Sequence, residues 1–114
     1  VRVLRKPLCS GYAFIQLVAW IAARGPGAGT SKMLHLWDVG AMFGDCGLSA
    51  IAMLRAVGVR LLATHFEPIL ENVNVIGQSV KANGFQDVVR THALALGRRA
   101  ESRRLFYVKE KHNW

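Results

Sequence analysis

The amino-acid sequence predicts an α/β domain built on a mostly parallel sheet. A short apolar run, 33–39, leads into a glycine-containing turn and then into a segment with helical periodicity. A second apolar run, 59–66, follows that helix and ends at an acid, Glu67. The same alternation continues further along the chain. Strands that alternate with helices in this way pair in parallel through right-handed crossovers.

Apolar spacing and glycines define the first strand and helix. Residues 33–39 are typical of a buried parallel strand, because the run is short, mostly apolar and followed by a glycine turn. The next segment has helical spacing and stops near Gly58, a residue type that often ends helices. The residues that recur at helical spacing are Leu48, Ile51, Ala52 and Arg55.

The second strand, 59–66, is followed by another predicted helix. Pro68 falls in the first turn of that helix, where the missing N–H of proline has no hydrogen bond to lose. The helix ends at Asn83 and Gly84, which favour a left-handed stop. Its apolar positions recur at helical spacing and are Leu70, Val73, Ile76 and Val80.

Two more strands are predicted in the last third of the chain. Residues 88–96 form the third, and residues 105–108 form a fourth after a turn at Gly97. No internal repeat is present. At 114 residues, the chain is one domain or part of one.

The first 31 residues form a separate segment from residues 32–114. The apolar run 11–23 is too short to span a bilayer, which takes about 20 residues. Basic residues before this run and small residues after it make it resemble a targeting segment. We favour a helix capped by Ser10 that packs on the sheet, followed by a Gly/Pro loop at 25–29. The side chains on its packed side are Phe14, Ile15, Val18, Ile21 and Ala22.

Composition limits the classes of partner. A hydrophobic fraction of 52% and a mean hydropathy of +0.22 exclude a disordered tail. The net charge is +8, and a basic patch can bind nucleic acid or an anionic membrane. No aromatic residue is interleaved with the run 98–104, so nucleic acid is not an expected partner. A membrane is expected only if the N-terminal run is a targeting segment.

Cysteine and histidine spacing gives no metal site. Cys9 and Cys46 are too few for a disulfide framework or a CxxC site. The histidines, at 35, 65, 92 and 112, lack metal-ligand spacing, so no metal is expected. Cys46 lies where a helix N-terminus could activate a thiol, but we expect a small buried residue in a tight turn.

The turn after the first strand and the acid after the second predict a pocket for a nucleoside-containing cofactor. In an open α/β sheet, such a pocket forms at the carboxyl ends of the strands. The turn 38–44 contains an acid and two glycines. Glu67 follows the next strand, where a carboxylate can accept hydrogen bonds from both hydroxyls of a ribose.

The details of the turn favour a cationic cofactor over a dinucleotide. Dinucleotide sites use G-x-G-x-x-G, whose second glycine lets the backbone reach a pyrophosphate. Here Met42 occupies the place of that glycine, and Asp38 precedes the first glycine, Gly40. A negative charge there suits the amino group and sulfonium of S-adenosylmethionine.

Four segments together resemble the FkbM-type S-adenosylmethionine-dependent methyltransferases. They are DVGAMFG at 38–44, FEP-x-x-ENV at 66–73, SVKANG at 79–84 and HALALG at 92–97. The resemblance covers about residues 34–108. The family's first motif usually has Asn where this chain has Met42.

The resemblance implies a Rossmann-like, doubly wound sheet, of which this chain would be the N-terminal half of a class I methyltransferase fold. It implies methyl transfer to a hydroxyl of a small molecule, sugar or lipid. It places the methionine part of the cofactor near Asp38, Gly40, Ala41 and Gly44. It places the ribose at Glu67, with Pro68 shaping the turn behind that acid. The adenine would lie near His92 and Ala93.

Simpler roles remain open for these residues. Asp38 and Glu67 could each cap the helix that follows its strand. Asn72 and Asn83 would then be helix surface and helix stop. Two other functions also remain: an NAD-type oxidoreductase half-domain, and a non-catalytic interaction module that uses its basic face.

The sequence does not identify a general base. In the resembling family, later strands build the substrate side, so we expect a fragment or truncated relative that binds the cofactor weakly and catalyses nothing alone. The compartment is unknown. It is cytoplasmic by default, and organellar or secretory if the N-terminal run is a targeting segment.

Overall fold

The computed structural model describes residues 12–24 and 33–105. These residues form helices and strands in the order helix, strand, helix, strand, helix, strand. The elements are α1 (Tyr12–Arg24), β1 (Leu34–Val39), α2 (Asp45–Ala56), β2 (Leu61–Phe66), α3 (Leu70–Ala82) and β3 (Val89–His92). This alternation confirms the predicted α/β class.

The three strands form one parallel sheet in the order β1-β2-β3. Leu34 pairs with Leu61 and Asp38 pairs with His65 across β1 and β2. Phe66 pairs with His92 across β2 and β3. The strand order and parallel pairing are compatible with a Rossmann-like arrangement. All three carboxyl ends therefore lie at one edge of the sheet.

α2 and α3 lie on one face of this sheet, and the core lies between them and the strands. Successive strand residues point to opposite faces, so every second residue of β1 turns toward the helices. Leu34 and Leu36 of β1 pack against the core. The largest fully buried apolar side chains are Leu48, Leu54 and Ile76, on α2 and α3.

α1 packs mainly on α2, whereas the sequence predicts packing on the sheet. Val18 is buried, and Phe14 and Ile21 are half-buried against the core, so three of the predicted packing positions are confirmed. Ala22 is exposed, against expectation. The proposed cap, Ser10, and the loop 25–29 lie outside the described residues. Within the described part of the chain, no helix is long and apolar enough to cross a membrane.

Several element boundaries differ from prediction. The sequence predicts helical spacing from Leu48, but α2 begins at Asp45, because Gly44, with φ of 73°, turns the chain directly into the helix. α3 begins at Leu70, so Pro68 precedes it instead of lying in its first turn. β3 ends at His92, where the Leu94 N–H donates back to the His92 carbonyl at 2.9 Å and turns the chain.

The C-terminal strand and Cys46 also differ from expectation. Leu105, the first residue of the predicted fourth strand, is not in a strand, and residues 106–108 lie outside the described residues. Cys46 is a half-buried residue of α2 and is disulfide-bonded, so its placement in a tight turn is wrong. The other cysteine, Cys9, lies outside the described residues.

Candidate functional site

The predicted cofactor residues gather at the carboxyl edge of the sheet. Asp38 is the next-to-last residue of β1, and Glu67 follows β2 directly. The loop 40–44 joins β1 to α2 beside them. This arrangement follows from the parallel pairing, because neighbouring parallel strands end at the same edge.

The loop after β1 is held against the end of β2 by backbone hydrogen bonds. The N–H groups of Gly40 and Ala41 both donate to the Phe66 carbonyl, at 2.9 and 3.2 Å. The Gly44 N–H closes the loop by donating to the Ala41 carbonyl at 2.7 Å. Gly40 and Gly44 have φ of 72° and 73°, a region that side chains disfavour. The two glycines are therefore required by the turn itself.

Met42 has the same left-handed backbone without being glycine. Its φ is 53°, and its side chain is 59% exposed. Among non-glycine residues, Asn adopts this conformation most readily, because its short polar side chain can bond locally. Asn, the residue usual at this position in the family that the sequence resembles, would fit this backbone better than Met42 does.

Glu67 is a buried acid that joins three segments of the chain. Its side chain is only 4% exposed. Oε2 accepts a hydrogen bond from the Met42 N–H at 2.8 Å. Oε1 accepts from the Ile69 N–H at 3.0 Å and from Asn72 Nδ2 at 3.2 Å. We call Glu67, Met42, Ile69 and Asn72 the Glu67 clasp. It fixes the loop after β1 to the start of α3.

The clasp bears directly on the predicted ribose contact. An ionised carboxylate offers about four acceptor sites, and the chain's own donors already occupy three. A ribose at Glu67 therefore either uses the remaining site or displaces the Met42 N–H. The contacts to Ile69 and Asn72 also fit the capping role that the sequence left open. Binding and capping are compatible for one carboxylate.

Asp38 also contacts the helix that follows it. Its Oδ2 accepts a hydrogen bond from the Gly47 N–H, in the first turn of α2, at 3.3 Å. The same oxygen lies 3.7 Å from Nε2 of His65, its partner in the β1–β2 register. The Asp38 side chain keeps 16% of its surface exposed, so it faces both the protein interior and the edge.

His65 is the site residue that sequence reasoning missed. It is fully buried, and neither ring nitrogen has a hydrogen-bond partner. Burial lowers the pKa of His65, and the nearby Asp38 carboxylate raises it by a smaller amount. A sequence signal exists, because Asp38 and His65 are each the next-to-last residue of their strands. Parallel strands aligned by their ends place the two side by side.

His92 and Ala93 lie at the end of β3, next to Glu67 along the same edge. The Glu67 N–H donates to the His92 carbonyl at 3.1 Å. The His92 ring, however, stacks on Phe66 on the sheet face opposite α2, with centroids 5.4 Å apart. Ala93 is exposed, and Pro68 is half-buried between Glu67 and α3. The backbone of His92 thus adjoins the candidate site while its ring points elsewhere.

The two asparagines singled out by the sequence have different places. Asn72 belongs to the Glu67 clasp, so it is more than helix surface. Asn83 is the C-cap of α3, and its Nδ2 donates to the Ser79 carbonyl at 2.8 Å, as expected of a helix stop. Across residues 12–24 and 33–105, no group of three or more acidic, histidine or cysteine side chains could hold a metal ion.

Comparison of the chain with protein-family models, with curated proteins and with solved structures gives no match. The function of the site is therefore proposed from its residues, their geometry and the sequence resemblance described above.

Proposed function

We propose that this chain is the cofactor-binding part of an S-adenosylmethionine-dependent methyltransferase of the FkbM type. The acceptor would be a hydroxyl of a small molecule, sugar or lipid. The observation that supports this most strongly is the position of Glu67. Its carboxylate stands at the carboxyl end of β2 and bonds the glycine loop that follows β1. A ribose carboxylate and a cofactor loop are needed side by side in such a site.

The charge of the edge supports the choice of cofactor. Asp38 and Glu67 are two acids at this edge, and ionised carboxylates accept hydrogen bonds without donating any. They suit the amino group and ribose hydroxyls of S-adenosylmethionine, which donate. A pyrophosphate would be repelled by the same charges and would meet Met42 in place of a glycine.

Each residue then has a definite task. Asp38 holds the methionine part, which lies beside the loop of Gly40, Ala41 and Gly44, and Glu67 holds the ribose. When bound, the cofactor supplies an activated methyl group on its sulfonium. The residues of this chain orient that group and exclude water, which is the main protein contribution to such a displacement. The base that would activate a hydroxyl is not assigned to any residue here.

Calorimetric titration with S-adenosylhomocysteine tests the proposal, since the demethylated product cannot react. We expect weak binding by the wild-type chain. Glu67→Ala should weaken binding by about 1–3 kcal/mol, the usual effect of leaving buried polar partners unpaired. Glu101→Ala is the matched control, because that exposed acid pairs with Arg103 and is not part of the Glu67 clasp.

A second variant separates ligand binding from the clasp. Asn72→Ala removes one donor to Glu67 but leaves the carboxylate in place. It should lower stability while nearly preserving S-adenosylhomocysteine affinity. No binding by a wild-type chain shown to be folded by circular dichroism contradicts the proposal. Equal binding by Glu67→Ala contradicts the ribose role, and preferential binding of NADH would favour an oxidoreductase site.

A further inference from the structure

The sheet face opposite α2 and α3 carries a continuous line of rings. Because strand residues alternate between faces, the residues between Leu34, Leu36 and Asp38 on β1 point away from the helices. Trp37 is 62% exposed and Val39 is 56% exposed on that face. We call this surface the aromatic face and define it by His35, Trp37, Val39, Phe66, Arg90 and His92.

Four rings on this face contact one another in sequence across all three strands. The centroids of His35 and Trp37 are 6.2 Å apart, and those of Trp37 and Phe66 are 5.6 Å apart. Phe66 and His92 are nearly parallel, with an interplanar angle of 18°. A sheet face with exposed aromatic rings is the surface on which several RNA-binding domains stack unpaired bases.

Polar groups adjoin the rings. A cavity of about 90 Å³ opens beside them, with polar lining from His35, Thr64, Gln86, Asp87 and Arg90. Arg90 is exposed and pairs in the register with Thr64, which in turn pairs with Trp37. Arg, Gln and Asp side chains can hydrogen-bond base edges. The Asp87 charge is offset by Arg55, which lies 3.6 Å away.

The charge of the chain is compatible with a polyanionic partner. The net charge is +8, which favours a polyanion over an apolar protein surface. The segment that leaves β3 after His92 carries four exposed arginines, of which Arg103 is paired with Glu101 at 2.7 Å. They are Arg98, Arg99, Arg103 and Arg104.

We propose that the aromatic face binds single-stranded nucleic acid. Bases stack on Trp37, Phe66 and His92, and Arg90 together with the arginines of 98–104 neutralises phosphates. The sequence argued against this partner because no aromatic residue is interleaved with those arginines. The rings come instead from three different strands and meet only in the folded sheet. Asp38 points to the opposite face, so nucleic acid on the aromatic face would not contact that carboxylate.

Fluorescence anisotropy with labelled 15-nucleotide oligo-U and oligo-dT probes tests this on the full chain. Affinity should fall steeply as salt rises from 50 to 200 mM. Trp37→Leu should weaken binding about 5- to 150-fold, the fold-change of losing one stacked base. Trp37→Tyr should retain most of the affinity. The matched control is Trp20→Leu, because Trp20 is 57% exposed on α1, away from the sheet face.

Additional variants and probes identify which features of the nucleic acid are bound. Arg90→Gln should reduce affinity and lower the salt slope by about 1, as expected for a lost phosphate contact. Arg24→Gln, at the end of α1, is its control. A duplex of equal length and heparin should bind more weakly than the single strands, since neither offers unpaired bases. Equal affinity for RNA and DNA would mean that binding depends on base stacking and phosphate charge alone. A preference for RNA would indicate additional contacts to the 2′-hydroxyl.

Three results would overturn the proposal. One is failure of the folded wild-type chain to bind either probe at 50 mM salt. Another is equal binding of heparin, duplex and single strands with no effect of Trp37→Leu. The third is a dimer in sedimentation that Trp37→Leu dissociates, without oligonucleotide binding, because a second copy would then cover this face. S-adenosylhomocysteine titration of Trp37→Leu keeps this test separate from that of the cofactor site.

Discussion

Gly47 of α2 lies so close to the buried ring of His65 in β2 that a Cβ atom at residue 47 would overlap Nε2. The same missing side chain leaves room for Asp38, whose Oδ2 would be 3.3 Å from that Cβ. The absence of a side chain at Gly47 thus leaves room for the His65 ring between α2 and the sheet. Glycine at 47 and histidine at 65 depend on each other.

Gly47→Ala should therefore destabilise the chain. Alanine favours a helix interior over glycine by about 1 kcal/mol, but overlap with a packed ring typically costs about 1–3 kcal/mol. Urea unfolding followed by circular dichroism measures the difference. Gly77→Ala is the matched control, because a Cβ atom there meets nothing within 4 Å and the helix-propensity gain stands alone.

The contact itself is tested in a second background. In a His65→Ala chain the obstructing ring is absent, so Gly47→Ala should become neutral or stabilising. A double-mutant cycle gives the coupling free energy directly. Equal destabilisation in both backgrounds would mean that something other than this contact requires glycine at 47.

The buried His65 should make the stability depend on pH. Because burial lowers the pKa of His65, the folded chain resists protonation more than the unfolded chain does. The unfolded histidine binds its proton near pH 6.5. The free energy of unfolding should therefore fall as pH drops below about 6.5, until the folded pKa is reached.

Urea unfolding between pH 5 and 8 checks this, with His65→Leu as the test variant. The leucine chain should lose the part of the pH dependence that comes from this ring. His92→Gln should keep it, because His92 is exposed. If His65→Leu and wild type show the same pH profile, another group is responsible.

Met42→Asn should stabilise the loop after β1. The left-handed conformation is unfavourable by about 1–2 kcal/mol for most side chains, and Asn tolerates it best after glycine. With φ of 53° at Met42, the gain should be about 1 kcal/mol. Thermal unfolding measures it. Met42→Leu, which carries the same backbone penalty, should change nothing, and a matching gain from leucine would refute the explanation.

Glu67→Gln should lower stability even though the side chain keeps its shape. An amide NH₂ would replace one acceptor and face donors of the clasp, at a cost of about 1–3 kcal/mol for buried groups left unpaired. Asn72→Ala should lose less, since it removes one donor only. Glu101→Gln, on the exposed pair with Arg103, should change stability by less than about 1 kcal/mol. If Glu101→Gln lowered the free energy of unfolding as much as Glu67→Gln does, the hydrogen bonds of the clasp would not explain the effect.

The central elements could be predicted from sequence because local signals mark them. β1 and β2 lie within the predicted runs, since the apolar segments end in Gly40 and in the acid Glu67. β3 was predicted four residues too long at its end, because 93–96 is apolar in composition but turns away after His92. Composition alone does not report a backbone turn.

The candidate site was predictable in position but not in contacts. Parallel strands end together, so Asp38 and Glu67 had to share an edge. The Met42 N–H points at Glu67 because the backbone of Met42 is left-handed, and a methionine in the sequence does not predict that conformation. The burial of His65 depends on Gly47 across the helix–sheet contact, and the ring line depends on strand register. These contacts form between different helices and strands, and the periodicity of a single segment does not predict them.

The Glu67 clasp makes the loop after β1 and the start of α3 open together. If the loop after β1 swings out alone, the carboxylate loses the Met42 N–H, and if the start of α3 frays alone, it loses the Ile69 N–H. Either partial opening leaves a buried negative charge short of donors, which is costly. We therefore expect the amide hydrogens of Met42 and Ile69 to exchange through one common opening, so that their deuterium uptake rises and falls together.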